Sequence, residues 1–111
     1  MIILGIDPGY AIVGVGVIEY KGNKFRPIEY NAITTHSSMA SSLRLKWIYD
    51  EICMYLDKYK PDAVAIEELF FNTNITTGIS VAHGRGVIVL AASVQNVPIF
   101  EYTPLQVKQS V

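Results

Sequence analysis

Apolar residues fall in short dense runs over parts of this chain and at helical intervals over others. Ile2-Ile3-Leu4-Gly5-Ile6 runs into Asp7 before Pro8-Gly9, and Ala63-Val64-Ala65-Ile66 runs into Glu67. Runs this short, bounded by turn residues, predict strands buried on both faces, as in a parallel sheet. Val13-Gly14-Val15-Gly16-Val17-Ile18-Glu19-Tyr20 predicts another strand. Its alternating glycines leave one face bare, which suits close approach by a backbone or a ligand. Lys21-Gly22-Asn23-Lys24 predicts a hairpin turn. Phe25 to Thr35 predicts a third strand, interrupted or bulged near Pro27.

Leu45, Ile48, Ile52, Leu56 and Tyr59 then recur at intervals of three and four, so about 39–59 is an amphipathic helix. Ser37 or Ser38 is its expected N-cap, and Trp47 and Tyr55, bordering the stripe, are expected to pack in the core. Pro61 stops it ahead of the Glu67 strand. A second helix covers about 75–95, capped by Thr73 or Asn74. Gly78, Gly84 and Gly86 each cost about 1 kcal/mol against Ala inside it. Their presence implies that the sheet or a second subunit packs very near. Pro98 to Tyr102 predicts a fifth strand, and Thr103-Pro104 opens a third helix, with Thr as cap and Pro at its first position. At Val111 that helix has made barely two turns, so the chain reads as a single domain, 1–111, cut before its C-terminal helices.

A helical crossover makes the Glu67 strand parallel to another strand, most simply the first. The order of three strands, helix, strand, helix, strand and helix fits an α/β protein of ribonuclease H-like fold, a five-stranded mixed sheet flanked by helices. Asp7 and Glu67 would then lie side by side at strand ends, where open α/β sheets collect their chemistry. Two converging acids are what a divalent cation needs. Each acid alone has an ordinary reading as well. Asp before Pro-Gly is good turn chemistry, and Glu67 serves equally as a capping or salt-bridged carboxylate.

Composition narrows this picture only a little. The chain has 111 residues, half of them hydrophobic and 17% charged, which excludes disorder. No apolar run approaches the ~20 residues of a membrane span, and no secretory signal is visible. The single cysteine, Cys53, is expected as a small buried hydrophobe, with no disulfide framework. A soluble, cytoplasmic protein without a membrane partner is expected. The net charge of −1 speaks weakly against nucleic acid. The lysines and arginines recur along the chain, however, and a bound metal ion would offset acidic charge.

Four segments, in order and spacing, resemble the RuvC family of bacterial Holliday junction resolvases. They are Ile3-Leu4-Gly5-Ile6-Asp7-Pro8-Gly9, Ala65-Ile66-Glu67-Glu68-Leu69-Phe70-Phe71, Gly84-Arg85-Gly86-Val87, and Phe100-Glu101-Tyr102-Thr103-Pro104 with Val107-Lys108-Gln109. The resemblance implies a homodimeric endonuclease that nicks four-way DNA junctions symmetrically in recombination and repair, alongside a branch-migration helicase complex. It implies a divalent cation, Mg²⁺ with Mn²⁺ as a substitute, held by four acids. Asp7 matches the first of these acids and Glu67 the second. The other two belong to a carboxyl-terminal helix for which nothing after Lys108 substitutes. Two-metal cleavage needs carboxylates that hold the ions about 4 Å apart, so a chain with two of the four acids is expected to be inactive.

By the same resemblance Phe70 is placed against junction bases and Lys108 near the scissile phosphate, with Arg85 as a further phosphate contact. Core packing for Phe70, a solvated helix position for Lys108 and a local structural role for Arg85 stand as the alternatives. Asn74 is expected to cap its helix rather than touch DNA. Thr73 stands where relatives often carry a lysine, and His83 where they often carry glutamine. His83 is expected at a helix surface or interface, and His36 on a loop surface. Glu68 and Glu101 match no family ligand. Two other functional classes remain open. A first turn of the form Gly-Ile-Asp-Pro-Gly also opens actin-like ATPases and sugar kinases, although Tyr10 would crowd a nucleotide phosphate there. A non-catalytic dimerising or junction-binding module is the other.

Overall fold

The computed structural model describes residues 1–36, 38–68 and 75–102. Three antiparallel strands come first, β1 (Ile2–Pro8), β2 (Ile12–Lys21) and β3 (Lys24–Thr34). Helix α1 (Ser41–Tyr59), strand β4 (Ala63–Glu67), helix α2 (Ile75–Val94) and strand β5 (Ile99–Tyr102) follow. The sheet order is β3-β2-β1-β4-β5, with β1, β4 and β5 parallel to one another. The expected third helix, Ser37, and the caps Thr73 and Asn74 lie outside the described residues.

Local chemistry sets the turns. Gly22 and Asn23 both take positive φ, 60° and 62°. That pair closes the β2–β3 hairpin in two residues, in the turn whose twist matches the strands it joins. Below the turn Ile18 pairs with Pro27, whereas Val17 pairs with Glu29, so Ile28 is an extra residue in β3. Pro27, which has no N–H to donate, sits where proline is tolerated, at a bulge on an edge strand. At the end of α1, Lys60 adopts a left-handed conformation and its N–H donates to the Leu56 carbonyl at 2.9 Å. Pro61 then prevents continuation.

Three expectations for α1 are corrected. Its N-cap is Ala40, which makes no side-chain cap. Ser38 lies two residues too early, and its hydroxyl is 2.6 Å from His36 Nδ1 instead. Trp47 is 48% exposed rather than in the core. It precedes Ile48 by one position, about 100° around the helix, and so points away from the buried stripe of Ile48, Ile52, Tyr55 and Leu56. Cys53 is half-buried against the core rather than within it.

The core fills one face of the sheet. Leu4 and Ile6 of β1, Val13, Val15 and Val17 of β2, and Val64 and Ile66 of β4 pack with Ile48, Ile52 and Leu56 of α1 and Ile88, Ala91 and Ala92 of α2. Each fully buried Ile, Leu or Val contributes about 1.5–3 kcal/mol relative to exposure. Ile48 reaches Gly84, where an added Cβ would stand in ordinary contact, 3.5 Å from its Cδ1, so the two helices meet closely here. One stretch departs from the hydropathy expectation. Thr77–Val94 is long and apolar enough, by length and composition, to cross a membrane. One side of it is buried against the rest of the chain, at Gly84, Ile88, Ala91 and Ala92, while Ile79, Leu90 and Val94 are exposed.

Candidate metal centre

Side chains alternate across a strand, so the even positions of β1 and β4 that face the helices leave the odd ones on the opposite face. Ile6 pairs with Ile66 in parallel register, which sets Asp7 and Glu67 next to each other one step further on. Adjacent strands run about 4.8 Å apart. The two carboxyl groups meet: a hydrogen bond to Asp7, then burial, then the Asp7 charge push the Glu67 carboxyl up from 4.5 to about 7. Such a pair holds a proton that neither acid would keep alone.

Two rows of residues cross the sheet on this face. Through the acid pair run Ala32, Gly14, Asp7, Glu67 and Tyr102. The neighbouring row is Tyr30, Gly16, Gly5, Ala65 and Phe100. The second row is small in the middle and aromatic at both ends, with Tyr30 84% and Phe100 62% exposed. The bare glycine face expected from the sequence is occupied within the chain. The Tyr30 ring lies 3.6 Å from an added Cβ at Gly16, and its hydroxyl 3.9 Å from one at Gly14. Asp7, Gly14, Gly16, Pro27, Tyr30 and Tyr102 line a groove of about 270 Å³. Burial, followed by the Glu67 and Asp7 charges, raises the Tyr102 hydroxyl above its ordinary pKa.

Sequence reasoning missed both tyrosines. Tyr102 was within reach, because the strand after a second crossover pairs with β4 in a register that places it beside Glu67. Tyr30 was not, because its face depends on the extra residue Ile28.

The other sequence candidates lie elsewhere. Arg85 donates from Nη2 to Glu101. Glu101 pairs with Ile66, so this ion pair sits on the helix-covered face, away from the acid pair. Glu68 donates its backbone N–H to the Tyr102 carbonyl at 2.7 Å. His83 and His36 are exposed, as expected. Phe70 and Lys108 lie outside the described residues.

Among the described residues no cluster of three or more His, Cys, Asp or Glu forms. Two carboxylates that share a proton nevertheless suit one divalent cation. They are hard oxygen donors, of the kind Mg²⁺, Mn²⁺ and Ca²⁺ take. A bound cation would replace the shared proton.

A mixed sheet of this order, joined by helical crossovers and bearing carboxylates at the ends of β1 and β4, defines the ribonuclease H-like class. The family model for crossover junction endodeoxyribonuclease RuvC matches residues 3–111. A protein of that name from Ruminiclostridium cellulolyticum is 61% identical over all 111 residues, and the chain spans 67% of its length. A RuvC of Thermus thermophilus, solved in complex with Holliday junction substrate, superposes with a TM-score of 0.91 at 31% identity, over 99% of this chain and 69% of that one. The chain belongs to the RuvC family, whose members are named as endodeoxyribonucleases, a class of hydrolases acting with a divalent metal. A Ppx/GppA family protein of Aquifex aeolicus superposes over 94% of the chain with a TM-score of 0.56 at 14% identity. That likeness extends to the fold alone.

Proposed function

We propose that this chain carries the Asp7 and Glu67 half of the metal centre of a four-way junction endonuclease acting in recombination and repair. The observation that carries the reading is the Ile6–Ile66 register, which puts two carboxyl groups in hydrogen-bonding contact at neighbouring strand ends. Asp7 and Glu67 would hold Mg²⁺, or Mn²⁺ in its place. When bound, such an ion activates water and stabilises the charge of a leaving phosphodiester oxygen. The chain's own residues supply negative charge at one point and a groove beside it whose floor is glycine. Phe70, Lys108 and Arg85 are proposed as junction contacts, Arg85 once its pairing with Glu101 is exchanged for a phosphate.

We further propose that α2 mediates a homodimer. Its outer side presents Ile79, Leu90 and Val94, 48%, 54% and 60% exposed. An added Cβ at Gly86 meets nothing within 4 Å. Gly78, Ala82 and Gly86, spaced by four, form a small-residue strip for a second copy of the helix. A cytoplasmic location and a branch-migration helicase as partner follow from the family reading.

The test is a junction-nicking assay in Mg²⁺ and in Mn²⁺. In a protein extended to the length of its relatives, Asp7→Asn and Glu67→Gln should each lower symmetric nicking by at least about 100-fold, since each removes a ligand rather than an outer-shell partner. Junction affinity, which rests on phosphate contacts and falls with salt, should survive. Either variant retaining most of its activity would remove that residue from the metal centre. The polypeptide of these 111 residues, with two of the four acids the family resemblance implies, is expected not to nick junctions at a tenfold excess over DNA. Symmetric nicks that disappear in Asp7→Asn would refute that expectation.

A further inference from the structure

The loop that leaves Asp7 is held from outside the sheet. Pro8 still pairs with Val13, and only residues 9–11 lie between β1 and β2. The turn is tight. An added Cβ at Gly9 would stand 2.4 Å from the Ile12 carbonyl oxygen, a distance only glycine permits.

Arg44, in the first turn of α1, reaches over this loop. Its Nη2 donates to the Tyr10 carbonyl. Its Nε donates to the Thr35 hydroxyl oxygen at 3.3 Å, and its guanidinium carbon lies 5.1 Å from the centre of the Tyr10 ring. Thr35, 6% exposed, completes the clamp. Its backbone N–H donates to the Ala11 carbonyl at 2.9 Å, and its hydroxyl points at the same oxygen at 3.5 Å. Tyr10 and Ala11 are thus tied to α1 and to the end of β3 at once.

We propose that Arg44 is a positioning residue for the metal centre, fixing the 9–11 loop and through it the stance of Asp7 beside Glu67. This rests on the cation reading given above. The sheet has its own pairing beside the clamp, because every residue of β1 from Ile2 to Pro8 has a partner in β2. The chemistry also calls for arginine specifically. A rigid planar fork bonds a carbonyl and a hydroxyl while stacking on a ring, whereas a lysine ammonium offers a single point of charge. Outer-shell partners of metal ligands typically account for about 10–100-fold in metal affinity.

The measurement is an Mn²⁺ titration of the ¹⁵N-labelled chain, reading the paramagnetic broadening of amides at residues 6–8 and 66–68. Arg44→Ala should raise the Mn²⁺ concentration at half-broadening about tenfold, with the amide shifts of the β4 core unchanged. Arg44→Lys should be raised nearly as far, and Thr35→Val by about threefold. An unchanged midpoint in Arg44→Ala refutes the proposal, and so does full rescue by Arg44→Lys, which would assign the effect to charge. Should Arg44→Ala fail to fold, Thr35→Val decides on the same criterion. A parent chain with no broadening localised at Asp7 and Glu67 would refute the cation site itself, an outcome distinct from equal midpoints in parent and variants.

Discussion

On one face of the sheet Leu4, Ile6, Val15, Val17, Val64 and Ile66 pack beneath two helices; on the other, the same strands present Gly5, Gly14, Gly16, Ala65 and two carboxyl groups. Strand alternation allows one segment of five to ten residues to serve both faces. The helix-covered side supplies the burial that stabilises the domain. The opposite side gives up stability, since it brings two acids together and fills its middle with residues that bury little area. Stability and chemistry are therefore separable here by the parity of a residue's position, and substitutions on the two faces should have opposite signatures.

The largest effect on stability is expected on the covered face. Ile52 is fully buried, and Ile52→Ala should cost about 2–5 kcal/mol in urea unfolding, the range for an aliphatic side chain removed from a packed core. A loss below about 1 kcal/mol would mean that this core is not packed as described.

The acid-bearing face should show the reverse. In the folded chain Glu67 takes up its proton at about 7, against an ordinary value of 4.5. Between those values the folded state binds more protons than the unfolded one, so stability falls as pH rises through the interval. The contribution is complete below about 4.5 and lost above about 7. Unfolding in EDTA at pH 5, 6, 7 and 8 should show this decline, and Glu67→Gln should flatten it. A divalent cation should oppose the decline by binding the ionised pair. A flat profile in the parent chain would show that the two carboxyl groups do not share a proton.

The smallest effect is predicted for Trp47. At 48% exposure on the outer side of α1, Trp47→Ala should change stability by no more than about 0.5 kcal/mol. A buried tryptophan would cost about 3–5 kcal/mol, so one unfolding curve separates the two positions.

These features were not equally legible in the sequence. The strands ending in Asp7 and Glu67, the crossover between them and the acid pair all follow from apolar runs and chain connectivity, which are local signals. The bulge near Pro27 was visible too, but not its consequence. Had Ile28 paired with Val17 in regular register instead of bulging, Glu29 rather than Tyr30 would oppose Gly16, because a one-residue slip exchanges the faces of a strand. Trp47 misled because a large aromatic beside an apolar stripe satisfies the pattern equally well from either side of its border. Ser38 misled because its hydroxyl had a nearer partner in His36. The hold of Arg44 on the Asp7 loop depends on contacts between residues 34 positions apart, and no local pattern announces it.

The placement of the acids also bears on the order of folding events. β1, β2 and β3 are linked by short turns, so their pairing closes only small loops. The β1–β4 pairing joins residues about sixty positions apart, and its closure entropy must be met before any contact rewards it. A chain with only the three-stranded meander formed holds Asp7 alone. The cation-binding pair comes into existence with the crossover itself, so metal affinity reports completion of the sheet, and a bound ion favours the finished fold over every partly formed state that lacks β4.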